Sequence, residues 1–422
     1  MTQRRGAGPG ARDEPPPVAG RLLEHLARAD SSIVDLAARL VAIPSWAPAH
    51  DERAVVGELA ATAARLGLPA GVMVAAHPER PNLVIRLVGR EPGRRLVLNG
   101  HTDTKPPGDH ADWGHDPTAP EVRDGRLHGL GSVDMKGAIS AMLHAAAALV
   151  AEGLPTSGEL VLIFSADEEA SGMLGLAHVL ATTGLTADAA MIGEPSGIDG
   201  PFDRLAIGAR GYHGFSLRTV GRRVHSGLAG TPSASPEAIR ALVRVADRLP
   251  SMVEFNQRPS PGFPLGPTVA ITGLQAGVAP GILPGEAVAQ GEVRTVPGMS
   301  WADTDRALSE ALAGIRDDDG GPLMVGLESE PEEWPASSID AGEPIVAALA
   351  AATSRVTGRW PDLSLFPGAT EAHAFAARGI PCVPAFGPGR LASAHVPDES
   401  VDLDDLFAAA RIYALAIADY LG

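Results

Sequence analysis

The chain is predicted to form an α/β fold, in which a mainly parallel sheet is flanked by helices and a smaller domain is inserted. Strand-like apolar runs alternate with helical stretches in the first half of the chain and again from Ile345 onwards, a pattern typical of a largely parallel sheet. From about Gly211 the predicted order changes to β-α-β-β-α-β, the split ferredoxin-like unit. The length of 422 residues exceeds the roughly 250–300 at which a single core stops growing, so two domains are expected.

The first domain is predicted from hydrophobic periodicity and from the helix breakers between the periodic segments. Two helical stretches are predicted within residues 21–66, interrupted at Pro44, and a third helix over 135–153, closed by Gly153 and Pro155. Apolar strands are predicted at 82–87, 94–99, 159–165 and 189–193, and an amphipathic closing helix at 402–421. The first domain is therefore completed by the C-terminal part of the chain.

The inserted domain begins with a predicted strand over 211–218, followed by a helix opened by Ser235 and Pro236. Strands at 269–273 and 286–294, a helix opened by Ser300 and a last strand near Leu323 complete the unit. The predicted boundaries are a disordered Pro/Gly-rich tail over 1–18, a first domain of 19–208 and 326–422, and an inserted domain of 209–325.

Charge and cysteine content exclude several classes of function. A formal net charge of -17 repels phosphate backbones and anionic membranes, so neither nucleic acid nor a membrane is an expected partner. The single cysteine, Cys382, lies in an apolar run and is predicted to be a buried small hydrophobe. The first residues lack the apolar region of a secretory signal, and no later stretch has about 18 uninterrupted apolar residues, so a cytoplasmic location is expected.

Acidic and imidazole side chains follow the predicted strands, where functional groups of an open α/β sheet gather. These candidates are His101, Asp103, Asp134, Glu168, Glu169, Glu194 and His395. Each has an ordinary alternative when it is taken alone. Asp134 is a potential helix cap, the pair Glu168 and Glu169 a potential exposed acidic run, and His101 a potential structural hydrogen-bonding residue.

Taken together, the candidates favour a metal centre, because so many neighbouring carboxylates repel one another without cations. Imidazole and carboxylate ligands suit zinc, and one cysteine cannot form a multi-thiolate site. Two ions roughly 3.5–4 Å apart can share a carboxylate and lower the pKa of water toward about 7. A carboxylate free of metal is still needed to move the proton, and the pair Glu168 and Glu169 can supply one ligand and one base.

Five ordered motifs carry a resemblance to a known family: GHTD at 100–103, GSVDMKG at 131–137, DEE at 167–169, GEPS at 193–196 and AHVPD at 394–398. The chain resembles the metallopeptidase family of acetylornithine deacetylase, succinyl-diaminopimelate desuccinylase, aminoacylase and glutamate carboxypeptidase. This resemblance covers nearly the whole chain after the tail. It implies a zinc-exopeptidase-like catalytic domain with metal-binding residues, and an inserted domain that serves as lid and dimerisation element.

The resemblance implies a role for each candidate. Asp134 bridges two metal ions, with His101 and Glu194 completing one site and Glu169 and His395 the other. Glu168 is the general base, and Asp103 holds the His101 imidazole in the required tautomer, as expected for a carboxylate beside a ligating histidine. Two zinc ions per subunit are expected, for which cobalt or manganese can substitute.

Further residues are implied to contact substrate. His225 matches a histidine that polarises the scissile carbonyl, commonly from the partner subunit, with an ordinary surface histidine as its alternative. Arg294 matches an arginine that holds a substrate carboxylate, with a surface ion pair as its alternative. Thr370, Gly387 and Gly389 resemble residues of loops that line the substrate cleft.

Two departures bear on the substrate. Gly281 stands where many relatives carry Asn, and the family's Gly-Arg-Gly loop is Gly-Leu-Gly at 129–131. The expected function is hydrolysis of the amide bond of an N-acyl amino acid with a free carboxylate, by metal-activated water with Glu168 as base, in a homodimer. A metal-dependent dipeptidase or carboxypeptidase on the same machinery is the alternative, and a non-catalytic binding protein a distant one. The motifs leave the acyl group and the amino acid open.

Overall fold

The computed structural model describes residues 17–47, 49–234, 236–255, 266–317, 320–331 and 334–422. The helices are α1 Pro17–Val41, α2 Arg53–Arg65, α3 Gly137–Ala151, α4 Leu176–Thr183, α5 Ala238–Met252, α6 Trp301–Gly314, α7 Pro344–Thr357, α8 Ala372–Ala376 and α9 Leu403–Leu421. The strands are β1 Val72–Ala75, β2 Pro81–Val88, β3 Glu91–His101, β4 Glu121–Arg123, β5 Arg126–His128, β6 Ser157–Ser165, β7 Ala189–Ile192, β8 Pro195–Gly197, β9 Arg204–Ala209, β10 Gly211–Val220, β11 Val224–His225, β12 Thr268–Ala276, β13 Ile282–Leu283, β14 Glu286–Thr295, β15 Val325–Ser329, β16 Ser337–Ser338, β17 Asp362–Phe366, β18 Cys382–Val383, β19 Gly387–Arg390 and β20 Ser400–Asp402.

The central sheet has six strands in the order β1-β2-β6-β3-β7-β18. The pairs β6/β3, β3/β7 and β7/β18 are parallel, while β1/β2 and β2/β6 are antiparallel. Strand β6 is buried at nearly every position, as expected for a strand covered on both faces. The predicted α/β fold with a mainly parallel sheet is therefore confirmed, and its antiparallel part lies at one edge.

Helices α1, α3, α7 and α9 pack together in the large core. The stretch Ser132–Ala151 is long and apolar enough by composition to cross a membrane, but 94% of its most apolar window is buried inside the protein. It is covered by the neighbouring helices and the sheet, so a core helix explains its composition. Cys382 is buried, as predicted.

The inserted unit is a four-stranded antiparallel sheet in the order β12-β14-β10-β15, with α5 and α6 packed on it. The strands of this sheet and the two helices follow one another as β10-α5-β12-β14-α6-β15, which is the predicted β-α-β-β-α-β order, while the short strands β11 and β13 form a separate pair. A capping box begins α6, in which Ser300 and Asp303 exchange hydrogen bonds with each other's backbone. The helix start predicted at Ser300 is therefore confirmed.

Some boundaries differ from the prediction. Helix α1 begins at Pro17, inside the tail predicted for 1–18, while residues 1–16 lie outside the described part of the chain. Strand β15 extends from Val325 to Ser329, so the inserted sheet continues past the boundary predicted at 325. Helix α5 begins at Ala238 rather than at the predicted Ser235 and Pro236, and Ser235 lies outside the described residues.

Candidate metal centre

Three parallel strands bring candidate side chains to one edge of the central sheet. His101 is the last residue of β3, Glu168 and Glu169 follow the end of β6, and Glu194 follows the end of β7. Because these strands are parallel neighbours, their carboxyl ends lie side by side. The topology therefore assembles residues that are distant in sequence.

Asp134 lies in a tight turn that precedes α3. Gly131 at the start of this turn has φ 80°, and a Cβ there would lie 2.6 Å from the Thr104 Cγ2 atom. Only glycine fits this position without strain. The buried Glu399 carboxylate accepts backbone N–H bonds from Gly131, Val133 and Asp134, at 2.9, 2.8 and 3.1 Å. The turn that presents Asp134 is thus held by a carboxylate from the far end of the chain.

His395 reaches the same place from the loop after β19. Its backbone is left-handed, with φ 57°, a conformation that non-glycine residues adopt rarely. Three residues further on, the Asp398 carboxylate accepts a hydrogen bond from the Gly114 backbone N–H at 2.8 Å and lies 3.2 Å from His115 Nδ1. These contacts fix the loop that carries His395.

The predicted ligand atoms form two groups that share Asp134. In the first group, His101 Nε2 lies 3.0 Å from Asp134 Oδ1 and 3.4 Å from Glu194 Oε1. In the second, His395 Nε2 lies 3.1 Å from Asp134 Oδ2 and 2.9 Å from Glu169 Oε1. Each oxygen of the Asp134 carboxylate therefore faces a different histidine.

This arrangement fits a pair of metal ions. Neighbouring ligands of a tetrahedral zinc ion with bonds of roughly 2.0–2.1 Å lie about 3.3 Å apart, close to the measured separations. His101, Asp134 and Glu169 also have ligand atoms within 4.8 Å of one another. A carboxylate that directs one oxygen at each group has the geometry of a bridging ligand.

Asp103 supports the site in two ways. His101 Nδ1 lies 3.0 Å from the Asp103 carbonyl oxygen, whereas the nearest carboxylate oxygen is 3.6 Å away. The backbone carbonyl is thus the closer partner of the imidazole. The carboxylate accepts hydrogen bonds from the backbone N–H groups of Glu168 and Glu169, at 3.1 and 2.9 Å. Asp103 therefore fixes both the histidine and the loop of the two glutamates.

The pKa directions follow from burial among like charges. Burial raises the pKa of Glu168 well above its usual range, and neighbouring carboxylates, including Glu169, add to the effect. Burial and the charge of Asp134 raise the pKa of Glu194 to about 7. Hydrogen bonds to the carboxylates of Asp134 and Glu169 raise the pKa of His395 to about 11. The clustered carboxylates give the site a strongly negative electrostatic potential, which favours the binding of cations.

These residues open into a cavity of about 840 Å³. It is lined by Lys105, Asp134, Glu168, Glu169, Ala170, Ser171, Glu194, Tyr212, Glu292, Arg294, Glu330, Trp334, Phe366, Pro367, Gly368, Ala369, Leu391 and His395. Residues from the inserted sheet thus share one cavity with residues from the edge of the central sheet. A volume of this size suits a small organic ligand.

Arg294 is on the cavity wall, as the sequence predicts. Its Nε donates to Glu292 Oε1 at 2.9 Å, and its Cζ lies 5.3 Å from the centroid of the Tyr212 ring. Within the described part of the chain, its two terminal nitrogens have no partner. The ion pair considered as the alternative is present, and it leaves the forked end of the guanidinium available to a ligand.

Three predicted substrate residues are placed differently from the expectation. Thr370 is buried, and its hydroxyl accepts from the Ala372 backbone N–H at 3.3 Å. Gly387 packs so closely that a Cβ would lie 2.0 Å from the Gly193 carbonyl oxygen, and Gly389 has φ 83°. None of the three is on the described cavity wall. Gly387 and Gly389 belong to β19, which pairs with β8 next to Glu194.

His225 is outside the cavity of its own chain, judged on the described residues. It ends strand β11, which pairs with β13, and its side chain is exposed. The Nδ1 atom accepts a hydrogen bond from the Gly227 backbone N–H at 3.0 Å. The remaining ring nitrogen, Nε2, has no partner among the described residues.

Sequence reasoning missed Lys105 and Glu399, which contact residues of the metal centre. Lys105 lies on the cavity wall, and its Nζ is 3.0 Å from Glu169 Oε2 and donates to the Glu169 carbonyl oxygen at 2.6 Å. Its position two residues after Asp103 was the available signal. Glu399 follows Asp398 in the motif that contains His395, but its contacts with the turn of Asp134 span more than 260 positions, and no local pattern predicts them.

Comparison with solved structures supports the fold. Human carnosine dipeptidase 1 is 17% identical, covers 97% of this chain and 100% of its own, and has a TM-score of 0.77. An M20 family metallo-carboxypeptidase from Sulfolobus solfataricus is 18% identical and has a TM-score of 0.75. The match covers 92% of this chain and 99% of the carboxypeptidase. The Bacillus subtilis YXEP protein, a dinuclear metal binding peptidase from M20 family, is 16% identical and has a TM-score of 0.65. The match covers 93% of this chain and 98% of the YXEP protein.

A family model connects the sequence to the same group of enzymes. The model of peptidase family M20/M25/M40 matches residues 97–419. This range spans most of the chain and includes every predicted metal ligand, together with Glu168. The chain therefore belongs to peptidase family M20/M25/M40, and it is a metal-dependent hydrolase of peptide or amide bonds.

Proposed function

We propose that the protein hydrolyses the amide bond of an N-acyl amino acid that carries a free carboxylate. The observation that carries this proposal is the composition of one cavity, where Glu168 adjoins two ligand groups sharing Asp134 and Arg294 stands on the same wall. This combination provides a centre for water activation and a cation for a substrate carboxylate. A deacylase that acts on amino acids needs both.

The residues divide the work of the reaction. One metal ion would be held by His101, Asp134 and Glu194, and the other by Asp134, Glu169 and His395. When bound, each ion would supply positive charge that lowers the pKa of water and polarises a carbonyl. Glu168 accepts the proton that the attacking water loses and delivers it to the leaving nitrogen. Its raised pKa helps the carboxyl to hold the proton taken from water until the leaving nitrogen accepts it.

Two zinc ions per subunit are proposed, with cobalt or manganese as substitutes. The donor atoms are imidazole nitrogens and carboxylate oxygens, a set that suits zinc. Elemental analysis of protein purified without chelators should give about two ions per subunit. Less than one ion, with no gain in activity when zinc, cobalt or manganese is added, would contradict the proposal.

Arg294 is proposed to bind the free carboxylate of the substrate. Conversion of that carboxylate to its methyl ester should lower kcat/KM by roughly 10- to 100-fold, because the guanidinium loses a charge-assisted hydrogen-bond partner. Kinetics on a matched acid and ester measure the effect. The matched control is Arg294→Gln, which should remove most of the difference between the two substrates. Equal hydrolysis of acid and ester by the unmodified enzyme would remove Arg294 from substrate binding.

A metal-dependent dipeptidase or carboxypeptidase is the second candidate, favoured by the similarity in fold to carnosine dipeptidase 1 and to the carboxypeptidase from Sulfolobus solfataricus. The same metal centre serves either reaction, since both cleave an amide bond beside a carboxylate-bearing residue. A hydrolysis screen over N-acetyl, N-succinyl and N-formyl amino acids and over dipeptides separates the candidates. Activity confined to dipeptides would favour the second.

We further propose that the protein is a homodimer in which His225 completes the partner's active site. The exposed imidazole lies outside its own cavity, with Nε2 available to a second chain. The inserted domain also exposes apolar side chains on α5 and β12, namely Ile239, Val243 and Leu274, which are 42%, 54% and 60% exposed. A two-fold contact through this surface would bury these side chains and exchange residues symmetrically.

A further inference from the structure

The loop that carries Glu168 and Glu169 is closed at its two ends by buried side chains that have no role in the chemistry proposed above. We name residues 166–175, between the end of β6 and the start of α4, the glutamate loop. It places both glutamates on the wall of the cavity, beside Asp134. A displacement of this loop would therefore move the proposed base and a predicted metal ligand together.

Asn82, on β2, bonds to both ends of the glutamate loop. Its Oδ1 accepts a hydrogen bond from the Ala166 backbone N–H, and its Nδ2 donates to the Leu174 carbonyl oxygen, both at 2.9 Å. Nδ2 also donates to the Val74 carbonyl oxygen of β1 at 2.9 Å. The side chain is fully buried, where a lost hydrogen bond leaves its partner unsatisfied. One amide thus ties the ends of the loop to each other and to the central sheet.

Glu371, directly before α8, joins the two elements that flank the glutamate loop. Its Oε2 accepts a hydrogen bond from the Ser165 hydroxyl at 2.6 Å, and its Oε1 accepts one from the Leu176 backbone N–H at 2.8 Å. A Cβ on Gly175 would lie 2.8 Å from Glu371 Oε1 and 2.2 Å from the Ala166 carbonyl oxygen. Glycine at this position therefore allows the ends of the loop and the carboxylate to approach one another.

Further bonds hold the interior of the glutamate loop. Glu52 Oε1 accepts a hydrogen bond from the Asp167 backbone N–H at 3.2 Å, and Asp103 accepts from the next two N–H groups. Within the loop, Asp167 Oδ2 accepts from the Leu174 N–H at 3.2 Å, and the Asp167 carbonyl oxygen accepts from the Gly172 N–H at 2.7 Å. The loop is thus bonded to itself, and its placement depends on the side chains that hold its first half and close its ends.

We propose that Asn82 and Glu371 are positioning residues that close the glutamate loop and so set the place of Glu168 in the cavity. Neither side chain lines the described cavity, so each acts through the loop. The inference rests on the proposed function, in which Glu168 is the base. A displacement of about 1 Å can cost about 10²-fold in rate, while Arg294, the proposed group for the substrate carboxylate, belongs to the inserted sheet. The effect should therefore fall on kcat rather than on KM.

Glu371→Leu tests the proposal, because it removes both hydrogen bonds at similar side-chain size. It should lower kcat by about 10- to 100-fold and change KM by less than about 3-fold, since the Asp103 bonds to the loop remain. Glu169 moves with the loop, so one of the two expected metal ions should also be lost more readily on dialysis against a weak chelator. Asn82→Asp keeps the acceptor for Ala166 but places an oxygen opposite the Leu174 carbonyl, and it should act in the same direction.

Two further variants serve as controls. Glu371→Gln should retain most of kcat, because an amide can accept from the Leu176 N–H and donate to the Ser165 hydroxyl oxygen. Thr353→Val removes a buried hydroxyl that donates to the Leu349 carbonyl oxygen within α7, outside the described cavity. It should lower thermal stability and leave kcat and metal content unchanged, which separates a loss of stability from a loss of positioning.

Unchanged kcat and metal content in folded Glu371→Leu and Asn82→Asp would overturn the inference, and so would equal losses in Glu371→Gln and Glu371→Leu. The kinetics use whichever substrate class the unmodified enzyme hydrolyses. Activity confined to dipeptides would contradict the proposed function alone, and the same variants would then test the positioning of the glutamate loop on a dipeptide.

Discussion

Glu168→Gln is expected to lower kcat by about 10²–10⁴-fold, the range of a lost general base, while metal binding is retained. The amide keeps the size of the side chain but cannot accept the proton of the attacking water. Glu168 is not part of either ligand group around Asp134, and its backbone N–H bond to Asp103 does not depend on the side chain. Steady-state kinetics together with elemental analysis measure both parts of the prediction.

The matched comparison is Glu169→Gln in the same loop. Glu169 lies 2.9 Å from His395 Nε2 and 3.0 Å from Lys105 Nζ, so this change should weaken metal binding and leave activity that rises with added metal. The two adjacent glutamates are thereby distinguished by metal content. If Glu168→Gln instead lost metal and recovered activity on remetallation, the assignments of base and ligand would be exchanged.

The sequence could predict that His101, Glu169 and Glu194 lie near one another, because each ends or follows a strand, and strands follow a simple hydrophobic pattern. His101 and Glu194 end or follow parallel neighbours of one sheet, so the fold class alone brings them together. The order of the inserted unit was predictable for the same reason, since its helices and strands differ clearly in periodicity.

The part of the cavity wall that the inserted sheet forms was less predictable, because it depends on pairing between distant strands. Glu330 faces Tyr212 across 118 positions, and no local signal indicates that pairing. Gly387 illustrates the opposite error, in which a loop motif suggested contact with substrate although close packing against Gly193 explains the glycine. Short glycine motifs do not distinguish a residue that contacts ligand from one that allows two backbones to approach.

The inserted domain contributes both to the cavity wall and to the proposed dimer contact. One face of its sheet carries Arg294 and Tyr212 into the cavity, while α5 and the edge strand β12 expose apolar side chains to solvent. A dimer formed through the exposed elements would hold Arg294 and Tyr212 in place relative to the metal centre. It would also place His225 next to the active site of a second chain, and mixed dimers can test this placement.

Mixed dimers of His225→Ala and Glu168→Gln are expected to recover activity that neither variant has alone. In a mixed dimer, one active site receives native Glu168 from one chain and native His225 from the other, while the second site carries both changes. Random exchange makes about half of the dimers mixed, each with one intact site of two, so roughly a quarter of unmodified activity should return. Activity is measured after subunit exchange has been verified with differently tagged chains.

The control for this experiment mixes Glu168→Gln with Asp134→Asn, two changes on residues that line the cavity of the same chain. Every site of such a dimer carries one of the two changes, so no activity should return. Recovery in the His225 mixture alone therefore identifies a residue supplied across the interface. Absence of recovery after verified exchange would place His225 in the site of its own subunit or outside catalysis, because only a residue donated in trans can complement a defect in the other chain.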